Sequence, residues 1–129
     1  MEELGVVSIW LGNFESREAL AFYAENRFKR NENGEKVPSF TQDFFEGDLW
    51  PFEPEVFDYE FSGEPSQDPA VVANPLGEEL SRALADIYSK GFDQPYNAVL
   101  AVYDYQFEGS RHVPGAPAQF IMTLPYLER

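Results

Sequence analysis

Apolar and polar positions along this chain change period several times, and each change marks an element. Val6-Val7-Ser8-Ile9-Trp10-Leu11 is apolar apart from Ser8. Rich in Val, Ile and Trp, it predicts a buried strand, stopped by Gly12-Asn13. Residues 16–27 switch to a helical period. Ala19, Leu20, Phe22 and Tyr23 form a stripe at spacings of three and four, with Ser16 as N-cap and Glu18 near the positive helix end. Arg27, Lys29 and Arg30 stand where cations are favoured, and a polar loop with an Asn33-Gly34 turn follows.

Residues 39–45 predict a short helix capped by Ser39. Pro51 and Pro54 then remove backbone donors, which excludes a regular helix or a central strand around them. Val56-Phe57-Asp58-Tyr59-Glu60-Phe61 alternates apolar with acidic, the pattern of a strand with one wet face. Residues 62–73 read as a loop. Asn74 and Pro75 are suited to open the clearest helix, with Leu76, Leu80, Leu84 and Ile87 inward and Gly91 as its stop. Residues 97–105 predict a strand with Val99, Ala101 and Tyr103 on one face and Leu100 and Val102 on the other. Residues 118–124 predict the last strand, close enough to the one before it for an antiparallel hairpin. The order β-α-α-β-α-β-β implies an α+β fold. Its expected form is an α/β two-layer arrangement, with about three helices packed on a four-stranded mixed or antiparallel sheet.

Composition narrows the function. A length of 129 residues with 43 % apolar and 16 % aromatic content is enough for one domain over 1–129 with one core. The absence of Cys excludes disulfides, thiolate metal sites and a Cys nucleophile. Met1-Glu2-Glu3 is acidic and no signal-peptide core follows it, and no run approaches the ~18 residues of a membrane span. A cytoplasmic chain without membrane contact is expected.

Charge is more informative. Nine Lys and Arg against 23 Asp and Glu give a net −14, a field that repels nucleic acid and attracts basic partners. The charges are also segregated. Between Lys36 and Arg82 there is no Lys or Arg, but there are eleven carboxylates interleaved with Phe, Tyr and Trp. Such carboxylates repel one another, and a basic protein partner would relieve that repulsion and speed association. Aromatics among charges suit binding hot spots, although acid-aromatic alternation is also what any half-buried strand shows.

Signals for chemistry are weak. There is no Asp-x-Asp-x-Asp-Gly loop, no Gly-x-Gly-x-x-Gly, no P-loop and no Gly-x-Ser-x-Gly elbow. His112, the single His, stands in a loop. The chain is expected to be no enzyme and to need no cofactor or metal. A small hydrolase using paired carboxylates is the remaining enzymatic alternative.

Val7-Ser8-Ile9-Trp10-Leu11-Gly12, running into a helix that contains Tyr23-Ala24-Glu25, resembles the start of the bacterial immunity protein 22 family. The resemblance is strongest over residues 6–25. It implies a cytoplasmic inhibitor that binds a cognate toxin of a polymorphic toxin system, often a nuclease. The acidic pattern agrees, since a nuclease site that attracts polyanions also attracts a compact acidic protein. The partner-binding residues expected on the segment from Asp43 to Asp68 are Asp48, Trp50, Glu53, Glu55, Asp58, Tyr59 and Glu60. The alternative is a DNA-mimic inhibitor or interaction module unrelated to toxin immunity.

Overall fold

The run around Trp10 can be buried on both faces only in the middle of a sheet, and it lies there. The computed structural model describes residues 2–25, 33–34, 39–45, 52, 54–109 and 111–126. Strand β1 (Glu2–Gly12) pairs antiparallel with β3 (Tyr96–Tyr105) and with β4 (Ala118–Pro125). Strand β2 (Phe57–Ser66) pairs antiparallel with β3, which gives the order β2-β3-β1-β4. The expected hairpin between the last two strands is therefore replaced. β1 separates them, because Val7, Ile9, Trp10 and Leu11 are all 0 % exposed, and an edge position would leave one side of their backbone open.

Alternation along β1 sends its residues into two clusters. Val7, Ile9 and Leu11 pack with Val99, Ala101, Tyr103 and Ile121 beneath helices α3 (Pro69–Ala73) and α4 (Glu78–Ile87). Trp10 packs with Leu100, Val102 and Phe107 beneath α1 (Arg17–Glu25) and α2 (Phe40–Phe45). Helices thus cover both faces of the sheet, where the two-layer expectation placed them on one.

The chain between β2 and β3 also differs in detail. β2 runs on to Ser66, and a helix too short to show a period, α3, occupies part of the expected loop. Asp68 caps it, accepting from the Ala70 N–H at 3.0 Å. Asn74 closes α3 instead of opening the next helix, and α4 starts after Gly77. Leu80 and Leu84 face inward as expected, but Ile87 is 50 % exposed.

Polar side chains fasten the corners. Ser8, the break in the apolar run, donates to the Tyr105 carbonyl at 2.7 Å and accepts from the Phe107 N–H at 3.0 Å. Buried Asn97 on β3 accepts from the Phe14 N–H at 2.9 Å and donates to the Phe14 carbonyl at 2.8 Å, which fixes the turn from β1 into α1. Gly12 is required by contact. A Cβ there would stand 2.5 Å from the carbonyl oxygen of Pro117, just before β4.

The cluster on the Trp10 face is mostly aromatic. Trp10 meets Phe40 at 4.8 Å with the rings at 86°, and Phe107 and Phe120 at 5.0 and 5.1 Å. Its indole N–H has no hydrogen-bond acceptor among the described residues, and these rings are its surroundings. Phe40 also stacks on Phe57 at 5.1 Å, which ties α2 to β2. Phe40→Ala is expected to cost about 3–5 kcal/mol in urea unfolding. Phe22→Ala, at a site 62 % exposed, should change stability by less than about 0.5 kcal/mol. Equal effects would contradict this assignment of the core.

Candidate partner-binding surface

Strand β2 lies at an edge of the sheet, and its period of two divides the expected binding residues. Asp58 pairs with Ala101 and Glu60 with Val99, so both stand on the α3/α4 side. Tyr59 pairs with Leu100 and stands on the α1/α2 side, with Phe57 and Phe61. Glu55 is exposed in the 3-10 turn Pro54–Val56 that leads into the strand. Asp48, Trp50 and Glu53 lie outside the described residues. The structure therefore brings Asp58 and Glu60 together on one side of an edge and sets Tyr59 on the other, with Glu55 at the entrance.

Of the described aromatics of the acidic segment, Phe44 is buried and Phe45, Phe52, Phe57, Tyr59 and Phe61 are half-buried against the Trp10 cluster. Phe44 is 7 % exposed. Phe45 and Phe52 pack on each other at 5.4 Å, and Phe52 packs on Phe57 at 5.6 Å. The acids are outside. Glu55, Asp58, Glu64 and Asp68 are exposed and Glu60 is half-buried.

Two acids have long-range partners that no local pattern announces. The Arg17 guanidinium, at the start of α1, lies 3.4 Å from Glu60 and donates to the Phe61 carbonyl at 3.4 Å. Its side chain is 64 % exposed and that of Glu60 34 %, so solvent screens the pair and it contributes at most about 1 kcal/mol. The Tyr59 hydroxyl donates to Glu25 at the far end of α1. Arg17 and Glu25 thus join the β2 surface, although sequence reasoning assigned them to a helix alone.

Asp43 is engaged internally. Tyr23, 4 % exposed, donates its hydroxyl to Asp43 at 2.7 Å and so joins α1 to α2. Burial, followed by that hydrogen bond and the Asp43 charge, raises the Tyr23 pKa well above the ordinary tyrosine value. Other parts of the chain offer little chemistry. His112 is exposed in its loop, and among the described residues no group of three His, Asp or Glu is placed to hold a metal. No helix among the described residues is long and apolar enough to cross a membrane.

The edge strand and the turn before it thus carry exposed carboxylates beside an aromatic cluster. Comparison with known families gives the role. The family model described as Immunity protein 22 matches residues 7–126, which takes in β1 from Val7 onward and helices α1 to α4. The chain belongs to the Immunity protein 22 family. No curated protein and no solved structure matches the chain. Membership supports a role in toxin immunity, with a toxin as the partner. The match includes the Trp10 stretch and the β2 edge alike.

The Tyr23–Asp43 bond gives a prediction. Folded Tyr23 holds its proton to higher pH than it does in the unfolded chain. The stability it confers is therefore complete below the ordinary value of 10.0 and falls as pH rises above it. Tyr23→Phe should cost about 1–2 kcal/mol near neutrality and flatten the alkaline loss of stability, read as urea midpoint against pH. An unchanged alkaline slope would refute it.

Proposed function

We propose that the chain neutralises a basic, nuclease-type toxin domain in the cytoplasm by binding it, without catalysis, through the acidic surface at the β2 edge. One observation carries this reading. The stretch between Lys36 and Arg82 contains no cation, and its described acids Glu55, Asp58, Glu60 and Glu64 lie on or beside an exposed edge strand. An enzyme that draws in a polyanion does so with a positive surface. A protein of net charge −14 is drawn to that surface by the same field. The aromatic interior beneath β2 keeps the acids on a rigid support, so little ordering entropy opposes binding. Family membership favours a toxin over an unrelated nucleic-acid-binding protein as the target.

The test is binding to a cognate toxin domain. Asp58→Ala and Trp50→Ala should each weaken binding by about 2 kcal/mol, roughly thirtyfold. Glu60→Ala should weaken it less, since Arg17 already partners that acid. The wild-type Kd should rise with salt. Affinity that ignores salt, or that is the same in all three variants, would exclude this surface.

A further inference from the structure

A recess lies on the α3/α4 side of the sheet. It has a volume of about 270 Å³, between the first turns of α4 and the end of the sheet where Val7, Tyr103 and Pro125 come together. This is below the roughly 300–1,000 Å³ of sites that hold a whole small ligand, and it suits one or two side chains. Leu76 and Leu80 form one wall and the rings of Tyr103 and Tyr126 the other. The tyrosine wall is held in place. Tyr126 packs edge-to-face on Tyr103 at 5.3 Å, donates its hydroxyl to Asp104 at 2.7 Å, and donates its N–H to the Gly5 carbonyl at 3.1 Å.

The lip is charged. Glu78 and Glu79 stand there. Glu78 pairs with Arg82 one turn further on at 2.5 Å, and Glu79 has no cationic partner among the described residues. The helix N-terminus adds about half a positive charge. Two carboxylates against one guanidinium and that half charge leave the lip negative. The pairing of Asp58 with Ala101, next but one to Tyr103 along β3, puts the acidic edge on the same face and toward the same end of the sheet.

We propose that this recess receives an arginine side chain of the toxin, its stem against Leu76 and Leu80, its guanidinium plane on the tyrosine rings and its donors at Glu79. An apolar recess with a carboxylate on its rim suits an arginine laid along it, since a long stem buries while the head is paired and stacked. The inference rests on the reading that the partner is a basic protein, and it extends the contact beyond β2.

The probe is the peptide acetyl-Gly-Arg-Gly-amide, titrated into the full chain and followed by amide NMR. Peptides with citrulline or glutamate in place of arginine serve as controls. Saturable shifts at Leu76, Leu80, Tyr103 and Tyr126 are expected with arginine alone. They should weaken about fivefold in the Glu78→Gln/Glu79→Gln double variant, whose exposed sites leave the fold intact. No saturable shift, equal binding of citrulline, binding of glutamate at the helix end, or shifts confined to β2 would each overturn the proposal. With the toxin itself, the double variant should bind more weakly than wild type. If it binds as wild type does while Asp58→Ala does not, the recess is excluded and the β2 surface stands.

Discussion

The position of β1 between β3 and β4 is the constraint from which the rest of the structure follows. Its side chains are buried on both faces, so each face needs a cover of its own. One cover is aliphatic and tyrosine-rich, under α3 and α4. The other is mostly aromatic and is built around Trp10. Two polar side chains in these layers are paired: Ser8 holds the chain after β3, and Asn97 holds the turn into α1. A buried polar group left without such partners would cost about 1–3 kcal/mol, so these bonds fix register as well as add stability.

That arrangement decides what remains for the surface. The Trp10 face draws Phe40, Phe44, Phe45 and Phe57 toward it. Among the described carboxylates, Glu55, Asp58, Glu60 and Glu64 line the edge strand and its approach. Acid-aromatic alternation is therefore one pattern with two uses, packing on one side and charge on the other. Some of the charge is also taken up locally: Arg17 reaches Glu60, Tyr59 reaches Glu25, and Tyr23 holds Asp43. A charged edge also resists unwanted strand pairing, which matters in a sheet that is open at both sides.

Several features were legible in the sequence because they depend on neighbours in the chain. Strand and helix periods located β1, α1, α2, β3 and β4, and the Ser16 and Ser39 caps follow from local hydrogen bonds. The Trp10 stretch carried the family resemblance, and the segregation of charge is plain in the order of residues. Other features depend on which strand lies beside which, and no local period encodes that. β1 displaces β4 from β3 because only a central strand can bury both of its faces. Asn74 ends one helix instead of starting another because α3, five residues long, is made by packing and not by propensity. The partners of Glu60 and Tyr59 come from a helix more than thirty residues away. The tyrosine-walled recess needs α4, β3 and the chain after β4 to meet. The sequence by itself determined the class of fold, the family and the sign of the surface; the tertiary structure decided which of those residues pack, which pair and which stay exposed.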